Sequence, residues 1–372
     1  MAAIVRVFAS FCMAKSESVC RYVTAAWLVA CAAVAHAAEA AGGGTAWTAV
    51  PRVSGRITAA EIGLVINTDD PYSEAVGGYY IEKRRLRPHQ VLRVQLPVRA
   101  ALTPDEFERL HQQVAERFGS RVQALALAWT VPYAVGCNSI TGALALGYNG
   151  ALCRNSCAPS PASRYFNAAT AKPYRELGVR PSMLLAASSV QQAKALIDRG
   201  VAADRTLGLR GAPPVSAYFV STADAARNVR ARLFPPAGLL RRHGVQVQLA
   251  HGEASQRKAR VLVYQTGAAR VNHLDTLEWV NGALADHLTS FGGLLDRDKG
   301  QMTALAWLDA GATASYGTVS EPCNHPQKFP HPQVLLQHYL QGSSALEAYW
   351  KSVAWPLQGV FVGEPLAAPF AR

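Results

Sequence analysis

Apolar positions along this chain fall into short runs, separated by breaks rich in Gly, Pro and Asp, and stretches of helical period alternate with them. Residues 61–67 (EIGLVIN) are apolar and β-branched, and Thr68-Asp69-Asp70-Pro71 precedes an amphipathic stretch over residues 72–85. That order predicts strand, loop and helix, with Asp69 or Asp70 as the N-cap and Pro71 near the first helical position. Residues 90–96 alternate as a second strand. Thr103, with Glu106 three residues later, forms a capping box and predicts a helix that runs to Phe118 and stops at Gly119. The nearly unbroken apolar run 124–130 predicts a strand covered on both faces. Strands and helices alternating this closely predict an α/β fold: a mostly parallel, doubly wound sheet with helices on both faces, a three-layer sandwich.

Residues 132–182 interrupt the alternation, being rich in Pro, Gly, Cys and Ser without either period. A segment of that length without regular structure marks an insertion. It reads as a disulfide-stapled flap over the sheet edge, either a lid or a cover. The pattern resumes with a strand at 182–188, a helix over 190–199 closed by Gly200, and a strand at 215–220. Thr222-Ala223-Asp224 then opens a helix carrying Arg227 and Arg230 on one face, a pair that either grips an anion or faces solvent. Strands follow at 245–249 and 260–265. Residues 281–324 predict a strand ending at 289–293, a helix over 300–310 and a strand ending at Glu321-Pro322-Cys323-Asn324. Residues 330–349 read as helical, interrupted by Gly342, and 359–362 as a last strand. The expected domain is a single one over residues 58–372.

The chain's start reads differently. Arg21 precedes an apolar run, 22–35, that ends in Ala35-His36-Ala37, the pattern of a secretory signal peptide over residues 1–37 with cleavage near Ala37. Leu28-Val29-Ala30-Cys31 also fits a lipobox, so a lipid anchor on Cys31 is the alternative. The Gly-rich residues 38–57 suit a flexible lead-in. No later run is long enough to span a membrane. A periplasmic or secreted protein is expected.

The formal charge is +12, and removal of residues 1–37 takes three basic and one acidic side chain, leaving +10. A basic exported protein is drawn to an anionic polysaccharide or an anionic membrane surface, alongside an envelope protein partner. Arginine content without a recognition motif gives no nucleic-acid reading. There is no GxGxxG, Walker A or HExxH motif, so no cofactor is expected. An oxygen-ligand metal site from Asp69, Asp70 and Glu321 is conceivable, but no metal is expected.

Of seven cysteines, Cys137, Cys153, Cys157 and Cys323 follow the leader. They allow three pairings in an oxidising compartment. Cys137 and Cys323 each follow a strand, and a parallel sheet would put both at one carboxyl edge. The expected bridges are therefore Cys137–Cys323 and Cys153–Cys157. A zinc site is the rival, but only one closely spaced pair, CRNSC, is present.

The same edge gathers the candidate chemistry, because open α/β sheets bind ligands beyond the carboxyl ends of their strands. The set is Asp69, Asp70, Asn138, Ser139, Thr141, Ser290, Ser320, Glu321 and Asn324, with the Gly292 and Gly293 amides available to an anion. Ser290 half matches a nucleophile elbow, Leu288 replacing the first Gly. His287, three residues away in a strand, points to the other face, so His273 is the candidate base and Glu321 the candidate acid or base. The alternative is a structural serine in the Gly292-Gly293 turn.

Several segments, GLVINTDDPYSEAVGGYYIEKR, ALAWTVPYAVGCNSITGALALG, STADAARNVRA, ADHLTSFGG, QMTALAWLDAGATASYGTVSEPCN and VFVGEPLAAPF, resemble a family of exported bacterial proteins found with exosortase and exopolysaccharide systems. The resemblance implies export and an envelope context, as a binding or assembly factor, and no known activity. More remotely, the layout resembles the caspase-like α/β fold of gingipain-type cysteine peptidases. In that fold a His-Gly follows one strand and a Cys the next. Here Thr266-Gly267 and Ser290 stand at those places, so the resemblance implies the fold without its dyad. The alternative is a hydrolase of envelope polypeptide or glycan acting through Ser290 or Glu321.

Overall fold

A computed structural model describes residues 46–252 and 257–372. The expected signal peptide, the Cys31 lipobox and residues 38–45 of the lead-in lie outside the described residues. Trp47–Arg372 form one compact unit.

Its strands are β1 Ile62–Asn67, β2 Val91–Val94, β3 Ala101–Leu102, β4 Ala124–Leu127, β5 Ala134–Val135, β6 Asn138–Ser139, β7 Ser182–Leu184, β8 Val215–Ser221, β9 Gly238–Leu240, β10 Val245–His251, β11 Lys258–Gly267, β12 Leu277–Leu288, β13 Ala314–Thr318 and β14 Gly359–Gly363. The helices are α1 Pro71–Arg84, α2 Pro104–Arg117, α3 Ile140–Leu146, α4 Ala151–Arg154, α5 Pro173–Leu177, α6 Val190–Ala203, α7 Ala304–Asp309, α8 Pro332–Leu340 and α9 Ala345–Ser352. Among the described residues eleven strands form one sheet, in the order β2-β1-β4-β7-β14-β13-β12-β11-β8-β10-β9, while β3, β5 and β6 form a small second sheet.

Local chemistry explains the helix starts. Asp70 caps α1 by accepting from the Tyr72 amide at 2.9 Å, with Pro71 in the first turn. The Thr103–Glu106 capping box opens α2 as expected. In contrast, α6 runs through Gly200 instead of ending there. A Cβ at Gly200 would lie within 2.6 Å of the Glu364 side chain, so this glycine permits close packing and is not a stop.

The sheet is not parallel throughout. β2, β1, β4, β7 and β14 run one way, and β13, β12, β11, β8 and β10 run the other, because β13 and β14 pair antiparallel from Ala314↔Gly363 to Thr318↔Gly359. The cause is the connection between them. A single crossover helix would return the chain to the edge where β13 began and give a parallel neighbour. Here α8 and α9 fold back on each other at Gly342, with the His331 amide donating to the Ser352 carbonyl at 2.8 Å, so the chain re-enters at the edge where β13 ended.

Strand alternation divides the core between the two faces. Leu64 and Ile66 of β1 join α1, α6, α8 and α9 through Val76, Tyr80, Ile197, Leu335, Tyr339 and Trp350. Val65 faces the other way, with Phe107, Leu110 and Val114 of α2, Leu144 of α3 and Leu308 of α7. This is the expected layering, with helices on both faces of a mostly parallel sheet.

Two other expectations need correction. Residues 46–57 are not loose at their described end: Gln333 and Gln337 of α8 and Gln341 at its C-cap hold Thr48, Pro51 and Val53 by side chain to backbone hydrogen bonds, and the Glu347 carboxylate accepts from the Ile57 amide at 3.1 Å. The bridges are Cys137–Cys153 and Cys157–Cys323, with Cα–Cα separations of 5.3 and 5.2 Å. The expected Cys137–Cys323 bridge assumed that β4 and β13 end at one edge. They run oppositely, but the chain beyond β4 carries Cys137 to the end of β13, where the Ser320 hydroxyl donates to its carbonyl at 2.7 Å, so both cysteines reach one edge and Cys137 closes instead onto Cys153 of the neighbouring α4. Cys153 sits on α4 and Cys157 beyond it, and the two take different partners. Zinc ligation by these sulfurs is thereby replaced. The insertion is therefore stapled to the chain after β13, and it carries β5, β6, α3, α4 and α5 instead of irregular chain alone.

Candidate functional site

The reversal of the sheet splits the expected site. The ends of β11, β12 and β13 lie at one edge with the start of β14, and the ends of β1, β4 and β7 lie at the other. Asp69 and Asp70 are therefore across the sheet from Ser290 and Glu321, and the oxygen-ligand triad is not assembled. Among the described residues no group of three His, Cys, Asp or Glu side chains is placed to hold a metal ion.

At the first edge, the end of β12 sends Asp286 to one face and His287 to the other. Asp286 is fully buried and accepts from Arg230, from Gln265 at 2.7 Å and from the Tyr349 hydroxyl at 3.4 Å. Arg230 also donates to the Thr266 and Pro330 carbonyls. His287 accepts from the Trp307 indole N–H on Nδ1 at 2.9 Å, which puts its own proton on Nε2, 3.0 Å from the Met302 carbonyl. Burial above all, helped by the positive charges of Arg230, Arg227 and Arg270, pulls this histidine down to about 3, and the Met302 bond only partly opposes it. It is a neutral imidazole with both nitrogens engaged.

Ser290 is half-buried in the turn that follows. Gln301 holds this turn from beneath, its side-chain oxygen accepting from the Thr289 hydroxyl at 2.6 Å and the Phe291 amide at 2.9 Å. Thr318 donates to the Ser290 carbonyl at 2.9 Å. Arg227, which pairs with Asp224, donates to the Thr289 hydroxyl at 3.1 Å. Arg227 and Arg230 are thus committed to intramolecular partners, neither a free anion grip nor a solvated helix face; Arg227 precedes the 3-10 turn over Asn228–Leu233 and Arg230 lies within it.

The Gly292-Gly293 amides are not an anion cradle as a pair. The Gly293 amide donates to the Thr318 carbonyl at 2.9 Å, and the Gly292 carbonyl accepts from Ala304 at 2.7 Å. A Cβ at Gly293 would sit 2.7 Å from the Gly317 carbonyl oxygen, and one at Gly317 only 2.3 Å from the Gly292 backbone. These glycines let the turn lie against β13.

His273 does not reach Ser290. It precedes the start of β12, and Ser290 follows its end, so the strand itself separates them, roughly 36 Å at about 3.3 Å per residue. Asn138, Ser139 and Glu321 do come to the Ser290 edge, but as structural groups. Asn138 holds Asn149 through two hydrogen bonds of 3.0 Å, Ser139 caps α3 and donates to the Gly359 carbonyl, and Glu321 accepts from the Cys323 amide at 2.8 Å. Asn324 is exposed with a φ of 58°. A group missed in the sequence is Lys328, buried with its ammonium donating to the Ser156 carbonyl at 2.6 Å. Desolvation lowers it to about 8 against the pull of Glu321. Between the Phe291 turn and Tyr133–Gly136 of the insertion lies a cleft of about 330 Å³.

The chain is similar to a solved peptidase. The crystal structure of the Arg specific cysteine proteinase gingipain R matches over 86% of this chain and 80% of that chain, at 13% identity and a TM-score of 0.39. That degree of likeness assigns no activity to this chain. No protein-family model and no curated protein matches the sequence.

A second cleft, of about 590 Å³, opens where residues 50–53 cross the end of α8 beside Arg242, His243, Phe370 and Arg372. Its residues come from four distant stretches, so no motif announces it. The Arg241-Arg242-His243 run is the turn between β9 and β10.

Proposed function

We propose that this chain is an exported binding or assembly protein of the cell envelope, linked to exosortase or exopolysaccharide systems as its sequence resemblance implies, and not a hydrolase. One observation carries the reading. The histidine nearest in sequence to Ser290 has both ring nitrogens bonded to Trp307 and Met302, and the alternative base, His273, lies beyond the other end of β12. General-base activation of a serine requires an imidazole nitrogen within hydrogen-bond reach. The two disulfides fit an extracytoplasmic setting, and no described helix is long and apolar enough to cross a membrane.

The second reading, a hydrolase, is favoured by the half-buried Ser290 and the partly exposed Glu321 sharing one edge with the 330 Å³ cleft. A fluorophosphonate probe separates the two. Wild type and Ser290→Ala should label equally weakly. Labelling that vanishes in Ser290→Ala, together with turnover of an envelope polypeptide or glycan, would overturn the binding reading.

A further inference from the structure

The 590 Å³ cleft is lined by Arg52, Arg242, Arg372 and His243, and no side-chain carboxylate lines it. Among the described residues Arg52 and Arg242 enter no ion pair, whereas Arg84, Arg93, Arg99, Arg227, Arg230, Arg257, Arg270 and Arg297 all do. Arg372 is held in place by donating to the Leu207 and Gly208 carbonyls, and among the described residues its side chain has no carboxylate partner. Three arginines thus line one cleft with no side-chain carboxylate among its lining residues. The arrangement is stabilised when an anion occupies the space between them.

The cleft continues into a smaller hollow of about 200 Å³ that shares His243, Leu340 and Gln341 with it and adds Trp47 and Gln337. Trp47 is 36% exposed, an indole presented to solvent in the hollow beside the arginine-lined cleft. Position is not left to a loose tail. Gln337 of α8 and Gln341 at its C-cap fasten residues 48–53 by hydrogen bonds to Thr48, Pro51 and Val53, which sets both Trp47 and Arg52 against the helix.

We propose that this continuous groove is a binding site for an acidic oligosaccharide, with its carboxylates on the guanidinium groups and one sugar ring against Trp47. The proposal rests on the binding reading above and names the ligand and site for it. Guanidinium forks match carboxylates bidentately, and an aromatic face offers an apolar platform for the C–H side of a sugar ring. A flat anionic membrane would meet the protruding rim and leave the concave floor unfilled. A small inorganic anion would use the arginines and not Trp47. Burial together with the charges of Arg242 and Arg372 holds His243 in the neutral form, so it enters as a hydrogen-bonding group and not as a fourth cation.

The test is isothermal titration of the chain with a short oligogalacturonate. A neutral maltooligosaccharide, inorganic phosphate and phosphatidylglycerol vesicles serve as comparison arms. The expected result is saturable binding of the oligogalacturonate, weakened about tenfold or more by Arg52→Gln with Arg242→Gln and also by Trp47→Ala. Arg121→Gln, in the turn between α2 and β4, should leave it unchanged. All these side chains are at the surface, and circular dichroism confirms that each variant is folded. Absence of oligogalacturonate binding, unchanged affinity in the cleft variants, or equal avidity for phosphate or vesicles would overturn the proposal. None of those results bears on Ser290 labelling, so the site assignment fails separately from the non-hydrolytic reading.

Discussion

Arg230 and Asp286 meet in the interior with both side chains only 1% exposed, at the junction of β11, β12 and the 3-10 turn that follows β8. Their pairing ties the ends of two central strands to Pro330, which leads into the α8–α9 hairpin. Breaking such a pair from one side leaves an uncompensated buried charge, at a cost of about 3–5 kcal/mol. Asp286→Asn is expected to lose that much stability in urea unfolding. The double variant Arg230→Met with Asp286→Leu should lose less than Asp286→Asn alone, since no orphan charge remains. A loss below about 1 kcal/mol for Asp286→Asn would mean that water reaches the pair.

The disulfides differ in what they close. Cys157–Cys323 spans 166 residues and Cys137–Cys153 spans 16. The chain-entropy argument gives about 5 kcal/mol for the longer loop and about 3 kcal/mol for the shorter. Replacing Cys157 and Cys323 together by Ser should therefore lower the unfolding midpoint more than replacing Cys137 and Cys153. Peptide mapping without reductant should yield a Cys157–Cys323 peptide. A peptide joining Cys137 to Cys323 would refute the arrangement.

These two bridges also show how far the sequence is legible. The strand–helix alternation, the Thr103 capping box and the Asp70 cap are readable, because each rests on neighbours within a few residues. Sheet direction is not. Gly342 reads as an interruption in a long helix, but its φ of 93° makes it the turn of a hairpin, and a hairpin in place of a single helix reverses β14. β8, β11, β12 and β13 likewise run against β1, β4 and β7, so strand ends that the sequence places together fall at opposite edges. Asp69 and Asp70 leave the site, whereas the cysteine pairing is set within the insertion, which puts Cys137 beside Cys153. The basic groove has no local signal at all, since Arg52, Arg242 and Arg372 become neighbours only in the fold.

Stability should fall on mild acidification, and buried histidines set the window, His287 and His338 most strongly, with His243 and His331 lowered in the same sense. His287 and His338 are buried and neutral, each pulled down to about 3, chiefly by desolvation. Their folded values lie below the unfolded value near 6.5, so the stability that depends on them is whole above about pH 6.5 and is lost as pH falls toward 3. Each contributes at most about 1.4 kcal/mol per pH unit across that window. Glu347, raised by burial, works in the opposite sense and offsets part of the loss. The carboxylates held low by partners, among them Asp224 and Asp298, act only below about pH 4. Urea midpoints measured between about pH 7 and about pH 5 should therefore drop steeply in wild type and less steeply in His287→Gln. A profile that is the same in His287→Gln would show that His287 is not the titrating group.

Three glycines give a test of whether the Ser290 turn is there for packing or for a ligand. Gly78 lies on the exposed face of α1, where an added Cβ would meet nothing within 4 Å, while at neighbouring Gly77 the added Cβ would lie 2.6 Å from Ile66. Gly317 is tighter still, its added Cβ falling 2.3 Å from the Gly292 backbone. Gly78→Ala should stabilise by about 0.5–1 kcal/mol, since it removes only unfolded-state freedom and improves helix propensity. Gly77→Ala should be destabilising, because Ile66 sits between β1 and α1 and has to shift. Gly317→Ala should cost most, about 3 kcal/mol or more, because backbone cannot give way as a side-chain tip can. If Gly317→Ala instead left the unfolding midpoint near wild type, the turn would have to be mobile enough to move off β13. The 289–293 segment would then be a loop free to close on a ligand, and Ser290 would return as a contact residue.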